Sequence, residues 1–263
     1  ECPESVHLLD RMWDIGRQHA MWRDAGSLIR KSLQDSDPEL KFQWFFRLAE
    51  CARDELEDLS EAISSFEVCI GIEPDNIACL RALDSLYGTV ENWANQAETK
   101  EKLLELVSES PRRAELLLAL SYLYEERLSR IEAARKSCER LVDEQPAHLE
   151  GLERQAELFR RGELWSPLEK NLRLQQSART DLGQLVALHR ELAKLYDAHL
   201  DFPARAIDSW QDLLVIEPRD VEAQHALDRL LTDGKRFPEL LDHLSYMLTH
   251  GAEGDRPGLL HLR

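Results

Sequence analysis

The sequence contains no long apolar segment. Its longest uninterrupted apolar runs are a few residues, such as residues 116–120, whereas a membrane-spanning helix needs about 20 apolar residues. Proline and glycine are also scarce, at 10 and 11 of 263 residues, and no stretch has low complexity. Because 43% of the residues are hydrophobic and 32% are charged, we expect a folded chain with a substantial core and no membrane insertion.

Positive charge is in short supply. The chain has 33 Lys and Arg residues against 50 Asp and Glu residues, a formal net charge of −17. Binding to nucleic acid requires clustered cations that neutralise phosphates, and adhesion to an anionic membrane surface requires the same. The charge balance therefore predicts that neither of these is a general partner.

Motifs for metal, nucleotide or nucleophile chemistry are missing. The sequence has no HExxH, GxxxxGK[ST], GxGxxG or GxSxG pattern and no paired Cys/His spacing. Nothing singles out a pair of catalytic carboxylates. We therefore expect no metal, no cofactor and no enzymatic activity.

The cysteines do not suggest a disulfide framework. Their number is odd and no CxxC pair occurs, so we expect reduced, buried thiols: Cys2, Cys51, Cys69, Cys79 and Cys138. The chain starts at Glu1 without a signal peptide. We expect a cytoplasmic location and place any targeting segment outside this sequence.

What the sequence does contain is a repeat. Several residue types recur with successive spacings of 71 or 72 residues. The positions are Pro3, Pro74, Pro146 and Pro218; Trp22, Trp93, Trp165 and Phe237; Ala62, Ala134 and Ala206; and Leu48, Leu120 and Leu192. Because unrelated residue types share one period, the chain is predicted to be built from repeated structural units.

Each 72-residue period divides into two helical hairpins. In residues 111–182, apolar residues recur at helical spacing in four segments of about 14 residues. Pro111 suits the first turn of a helix, and Pro146 and Gly162 end the second and third segments. Isolated helices of this length are marginal in water. Stacking of the hairpins on their neighbours is the predicted source of stability.

These residues resemble tetratricopeptide (TPR) repeats, whose unit is a 34-residue helix–turn–helix. The matching residues are Leu117, Leu120, Ser121, Tyr124, Ala134, Cys138, Leu141 and Pro146 in one copy, and His189, Leu192, Ala193, Tyr196, Ala206, Trp210, Leu213 and Pro218 in the next. The resemblance implies an all-α fold, a right-handed α–α superhelix of about seven hairpins plus a truncated eighth. The expected hairpins are residues 4–37, 38–74, 75–110, 111–146, 147–182, 183–218 and 219–254, with a partial repeat at 255–263.

The chain departs from the TPR pattern in two ways. The hairpins that match it carry about one extra residue in the turn between their helices. The intervening hairpins lack the small alanine on their second helix and begin that helix with Trp93 or Trp165. We expect these tryptophans to pack in the core between hairpins. Substitution of a buried Trp165 by alanine would then cost about 3–5 kcal/mol.

In the TPR family the first helix of each hairpin lines a concave groove that binds peptides or partner domains. Carrying those positions over yields a candidate binding surface: Arg47, Arg81, Tyr122, Arg154, Arg160, Arg161, Arg190 and Lys194. The cluster in residues 154–194 is suited to an acidic peptide. The alternative is that these cations pair with neighbouring glutamates. The asparagine of chaperone-binding TPR clamps is missing, since Glu50, Tyr122 and Lys194 stand at that position.

The sequence thus predicts a protein-interaction scaffold with a protein or peptide as partner. Its alternating hairpins resemble those of long bacterial TPR arrays. Two alternatives stay open. The chain is the regulatory or sensor array of a larger enzyme, or it is a structural element that associates end to end through uncapped termini.

Overall fold

The computed structural model describes residues 3–250, and within that range the secondary structure is helical without strands. Fourteen α-helices follow one another in this part of the chain. Their bounds are α1 Pro3–His19, α2 Trp22–Ser32, α3 Pro38–Asp54, α4 Leu59–Ile72, α5 Ile77–Thr89, α6 Trp93–Leu106, α7 Ser110–Tyr122, α8 Ile131–Glu144, α9 Leu149–Arg161, α10 Trp165–Ala178, α11 Leu182–Ala198, α12 Pro203–Ile216, α13 Val221–Asp233 and α14 Phe237–His250. Twelve of them pair as hairpins of consecutive helices: α1–α2, α3–α4, α5–α6, α9–α10, α11–α12 and α13–α14. A π-helical turn, Leu123–Arg127, extends α7.

The chain divides into two compact units, residues 1–137 and 138–263, with the boundary inside α8. The first three hairpins lie in the first unit and the last three in the second. That the whole chain forms a single continuous array stays a prediction. The expected partial repeat at 255–263 lies outside the described residues, as does Cys2.

Helix starts repeat with the same period as the sequence. Asn76, His148 and Asp220 each precede a first helix, and each accepts a hydrogen bond from the backbone N–H three residues later, at 2.8–3.1 Å. This is the N-cap arrangement, which satisfies an otherwise unpaired donor of the first turn. The recurring proline two residues earlier ends the preceding segment. Local chemistry therefore sets where α5, α9 and α13 begin.

The turns inside the hairpins contain residues in the left-handed backbone conformation. None of them is glycine, and their φ angles are 50–57°. They form two periodic series, Ala20, Glu91, Glu163 and Lys235, and Glu57, Ser129 and Asp201. After Glu91 and Glu163, the next N–H bonds the carbonyl five residues back, the Schellman ending of a helix.

The extra length of the alternate hairpins lies mainly in their first helices. Both α3 and α11 have 17 residues, whereas α5, α9 and α13 have 13. At the ends of α3 and α11, and of α7 with its π-helical extension, a backbone N–H bonds the carbonyl five residues back. An example is the N–H of Leu128 with the carbonyl of Leu123, at 3.2 Å. Such π-type bonds accommodate one inserted residue without breaking the helix.

The small residues predicted from the sequence form the core of the hairpins. Ala62, Ala134 and Ala206 on the second helices are fully buried, and the recurring leucines at 48, 120 and 192 are no more than 5% exposed. Without larger side chains at the alanine positions, the two helices of a hairpin approach closely. The four described cysteines are free and buried, as expected.

Three tyrosines connect consecutive hairpins. The hydroxyl groups of Tyr87 and Tyr124 donate to Glu67 and Glu101, at 2.7 and 3.0 Å. Tyr196 donates in the same way to a glutamate of α10. Each bond runs from a first helix to the second helix of the preceding hairpin, so these tyrosines join consecutive hairpins. Burial, together with the neighbouring carboxylate, raises the pKa of Tyr87 and Tyr124 to about 12.

The recurring large aromatics are not core residues, contrary to the sequence-based expectation. Trp22, Trp93 and Trp165 are only half-buried, and Phe237 is 57% exposed. Each is the first residue of a second helix, next to the turn, where fewer neighbouring side chains can surround it. The ring of Trp93 lies under the guanidinium of Arg127, 4.8 Å from the ring centroid, at the edge of the next hairpin.

Buried polar side chains connect the two helices of the fifth hairpin, whose second helix has Leu168 at the position of the alanine. The Asn171 amide donates to the Leu152 carbonyl at 3.0 Å and to Gln155 at 2.8 Å, and Gln175 donates to Asn171 at 2.7 Å. His243 repeats the contact one period later, with its Nε2 2.9 Å from the Gln224 carbonyl. Hydrogen bonds to first-helix carbonyls therefore fasten these hairpins where close alanine packing is absent.

Candidate functional site

The charged side chains on the first helices of the second unit are paired across hairpins. The guanidinium of Arg160 on α9 donates two hydrogen bonds to Glu191 on α11, at 2.7 and 3.0 Å. Lys194 on α11 lies 2.6 Å from Glu222 on α13. Such bridges hold neighbouring first helices in register, although each exposed pair contributes only about 0.2–1 kcal/mol.

The same pairing continues along α11 and α13. Arg190 forms an ion pair with Asp220, the N-cap residue of α13, and a second with Glu222 at 3.2 Å. Arg229 on α13 pairs with Asp197 on α11. The first-helix face of the second unit therefore carries matched charges and not an open basic surface.

The predicted basic cluster is consequently engaged within the chain. Arg154 is only 3% exposed and donates to Glu157 at 2.9 Å, and Arg161 donates to the same carboxylate at 2.7 Å. The prediction that Arg154 forms part of an exposed contact surface is therefore wrong, because its side chain is buried. The other cations of the cluster pair with glutamates or aspartates, which is the alternative to an open basic surface that the sequence left possible.

In the first unit, Arg47 is also occupied. It lies 3.3 Å from Asp10 on α1, and its guanidinium covers the rings of Trp13 and Trp44 at 5.1 and 4.6 Å. Cation–π contacts of this kind contribute about 0.5–1 kcal/mol at exposed sites. Tyr122 on α7 is 38% exposed.

Arg81, a predicted site residue, lines a cleft. The cleft, about 260 Å³ in volume, lies between α5, α6 and α7. Arg81 on α5 and Arg112 on α7 both line it and are exposed, and no ion pair is found for either among residues 3–250. Leu116 and Ala119 on α7 add apolar surface to its wall.

A carboxylate in the same cleft is incompletely satisfied. Asp84 on α5 accepts from Lys100 on α6 through Oδ2 at 2.8 Å. Its other oxygen, Oδ1, is buried and has no hydrogen-bond partner in the described part of the chain. An unpaired buried acceptor is unfavourable, and because Oδ1 is buried it is closed to a ligand from outside.

Arg112 was not found by sequence reasoning, although a signal was present. It follows Pro111 in the first turn of α7, where the helix dipole disfavours a positive charge. Its neighbour Arg113 has a structural role there, since it donates to the Leu104 and Val107 carbonyls at the end of α6, at 2.6 and 2.9 Å. Arg112 remains at the cleft.

Among the described residues, no group of three or more His, Cys, Asp or Glu side chains is arranged to hold a metal ion. No helix in the described part of the chain combines the length and the apolar character that crossing a bilayer demands.

The fold is all-α and is built from helical hairpins of the TPR type, as the resemblance of the sequence predicted. No protein-family model matches the chain, and no curated protein sequence is significantly similar to it. The likeness lies in solved structures.

The Naa15/Naa10 complex bound to HypK-THB matches with a TM-score of 0.51 and 16% identity, over 83% of this chain. This chain spans about a third of the matched chain, 32% of its length. A tetratricopeptide repeat protein from Parabacteroides merdae matches with a TM-score of 0.43 and 17% identity, over 81% of both chains. YrrB, described as a TPR protein with an unusual peptide-binding site, matches at 0.42 and 14%, over 75% of this chain and 96% of its own.

Proposed function

We propose that this chain is a protein-interaction scaffold that binds an acidic peptide, or an acidic loop of a partner domain, in the cleft between α5, α6 and α7. The observation that carries the proposal is the pair Arg81 and Arg112. They line one cleft without an ion-pair partner among residues 3–250, whereas the first-helix cations Arg47, Arg160, Arg190 and Lys194 are engaged.

The chemistry of the cleft suits a peptide. A guanidinium presents parallel N–H donors that match a carboxylate in a bidentate arrangement. Leu116 and Ala119 offer apolar contact to the adjoining side chains. Lys100 and Glu115 also line the cleft, and Lys100 is paired with Asp84. Arg81, Arg112 and Glu115 leave the lining with a net positive charge, which together with the apolar wall favours a short acidic segment over a small anion.

The first-helix face of the second unit has a different role in this proposal. Its cations are neutralised by carboxylates on the neighbouring helix, so an acidic ligand would have to displace Glu191 or Glu222 before binding there. Those pairs set the register of α9, α11 and α13. Binding is accordingly assigned to the first unit, and the array acts by presenting a surface and not by catalysis.

The test is a selection from displayed acidic peptides against the intact chain, followed by calorimetric titration of the best binder. Arg81→Glu and Arg112→Glu should each weaken that binder at least about tenfold, because each removes a charge-assisted bond and adds repulsion. Arg160→Glu is the matched control, since it reverses an exposed first-helix arginine that is already paired.

Two results would contradict the proposal. Failure to select any peptide whose binding depends on its acidic residues would remove the partner class. Loss of binding in Arg160→Glu, with unchanged affinity in the Arg81→Glu/Arg112→Glu double variant, would move the site to the face of α9.

A further inference from the structure

Two clefts occupy equivalent positions in the repeat, two 72-residue periods apart. The first cleft lies between α4, α5 and α6, and the last cleft lies between α12, α13 and α14. Six lining positions correspond between them. In the first cleft they are Glu67, Ile70, Leu83, Asn95, Glu98 and Thr99, and in the last cleft Gln211, Leu214, Leu227, Glu239, Asp242 and His243. The two clefts can therefore be compared as copies of one design.

The first cleft is filled by the chain itself. Tyr87 on α5 lines it, is 5% exposed, and donates its hydroxyl proton to Glu67 on α4 at 2.7 Å. The remaining volume is about 160 Å³. A phenol ring is thus a side chain that this position of the repeat accommodates, with an acceptor in place for its hydroxyl group.

The last cleft has lost its tyrosine. The residue equivalent to Tyr87 is Phe159 one period later and Leu231 two periods later, so the ring loses first its hydroxyl group and then its aromatic atoms. Leu231 is fully buried, and the last cleft measures about 470 Å³. Gln211 and Glu239, the counterparts of Glu67 and Asn95, still line it and still provide hydrogen-bond acceptors.

The lining of the last cleft is apolar with an acidic edge. Leu214, Val215 and Leu227 contribute apolar surface, and Val215 is 81% exposed. Asp242 is exposed and has no ion-pair partner among the described residues. Glu239 is held by Arg236, with N–O distances of 2.5 and 2.8 Å. A positively charged group next to the ring of a ligand would meet the carboxylate of Asp242.

We propose that the last cleft is a docking site for a partner peptide carrying a tyrosine with neighbouring lysine or arginine residues. The phenol ring takes the place that Tyr87 occupies in the first cleft, and its hydroxyl group donates to Gln211 or Glu239. The basic residue pairs with Asp242. This site is separate from the cleft of Arg81 and Arg112 and selects a ligand of opposite charge, so the two proposals stand or fall independently.

The test uses a fluorescein-labelled peptide of about twelve residues, with one tyrosine flanked by two lysines, titrated against the intact chain. Matched peptides replace the tyrosine by alanine or both lysines by glutamate. We expect a dissociation constant in the micromolar range for the first peptide, and at least about tenfold weaker binding for both matched peptides.

Variants of the protein locate the site. Leu231→Tyr restores the internal ring and should abolish binding while the chain stays folded, as judged by circular dichroism. Asp242→Lys should weaken binding at least about tenfold, whereas Glu98→Lys, the same change at the equivalent position of the filled first cleft, should leave it unchanged. If Leu231→Tyr does not fold, Val215→Ser and Asp242→Lys carry the test, since the first removes apolar surface without adding charge, and both should weaken binding. Arg81→Glu should have no effect on this peptide.

Three results of the binding measurements would overturn the inference. They are absence of binding up to about 1 mM peptide, equal binding by the alanine-substituted peptide, and equal binding to the Asp242→Lys variant. A concentration-dependent dimer of the unliganded chain that Leu231→Tyr abolishes would assign the cleft to a second copy and also overturn it.

Discussion

Trp165 and His199 stack face to face, with ring centroids 3.8 Å apart and an interplanar angle of 19°. Trp165 begins α10, and His199 follows the end of α11 in the next hairpin. One period earlier, Trp93 and Arg127 make the same connection with a cation in place of the imidazole. The recurring aromatic therefore joins the edges of consecutive hairpins instead of filling the core between them.

Trp165→Ala should reduce the free energy of unfolding by about 1–2 kcal/mol, because it removes a half-buried ring and one stacked pair. This is less than the 3–5 kcal/mol expected of a fully buried tryptophan. Leu168→Ala, at a position 2% exposed in the same helix, is the control and should cost about 2–5 kcal/mol. Urea unfolding measures both, and equal losses would contradict the edge position of Trp165.

Glu169→Gln should flatten the acid side of the stability profile. Burial raises the pKa of Glu169, but hydrogen bonds from Tyr196 and Arg173 and the charges of Arg173 and Arg205 outweigh it, so the net pKa is lowered. A carboxyl group whose pKa is lower in the folded than in the unfolded chain stabilises the fold at pH values above its unfolded pKa of about 4.5. This stabilisation is lost as the pH falls through the pKa of the folded state.

The variant should therefore be less stable than the wild type by about 1–2 kcal/mol at pH 7, and this difference should shrink as the pH falls below about 4.5. Urea unfolding across that range supplies the comparison. Tyr196→Phe, which removes one donor to Glu169, should give a smaller change of the same sign. A constant difference from pH 7 to pH 3 would count against this account.

His243→Asn should make stability less dependent on pH near neutrality. Burial lowers the pKa of His243, against the opposing effects of the Gln224 carbonyl and Asp228. Because the unfolded chain then binds the proton more readily, stability is lost as the pH falls through the unfolded value of about 6.5 toward the folded one. Asparagine keeps the bond, as Asn171 shows one period earlier.

The measurement is the difference in unfolding free energy between about pH 7.5 and pH 5, which should be smaller in His243→Asn than in the wild type. Burial also lowers the pKa of His189, which is unchanged in this variant. The unfolding free energy of His243→Asn should therefore keep a smaller dependence on pH, and not lose it altogether. An unchanged slope in His243→Asn would assign the whole dependence to other groups.

Glu163→Gly should stabilise the chain by about 0.5–1 kcal/mol. Glu163 has a φ of 53° at the end of α9, a conformation that costs an L-residue about 1 kcal/mol and that glycine adopts freely. Glu163→Ala is the matched control, since it removes the carboxylate and keeps the strain. Thermal unfolding of the two variants should separate them, and the idea fails if alanine stabilises as much as glycine.

Arg154→Glu should destabilise the fold by about 3–5 kcal/mol, because it places a carboxylate in a buried position beside Glu157. Arg161→Glu, at an exposed position on the same helix, should cost less than about 1 kcal/mol. Chemical denaturation of both variants checks the contrast. A well-folded Arg154→Glu chain would show that Arg154 is accessible after all.

Much of the fold could be predicted from the sequence because its causes are local or periodic. The burial of the alanines at 62, 134 and 206 follows from helix spacing. The place of Pro111 in the first turn of α7 follows from the stereochemistry of proline. The left-handed residues such as Glu163 could not be predicted, since glycine is the usual signal for that conformation. Nor could the edge position of Trp165, because a large apolar residue has the same periodicity in a core or at an edge.

The candidate site divides in the same way. Arg81 was proposed from its place in the repeat, and Arg112 was missed. The engagement of Arg160 with Glu191 depends on two side chains 31 residues apart, and no periodicity within one helix reports that distance.

The sequence by itself determined that this protein is built from helical hairpins whose residues recur every 71 or 72 positions, because helix formation and hairpin packing are governed by residues near one another along the chain. The tertiary structure decided which charges are neutralised, which aromatics lie at edges and which clefts stay open. Those properties depend on the separation of side chains from different hairpins.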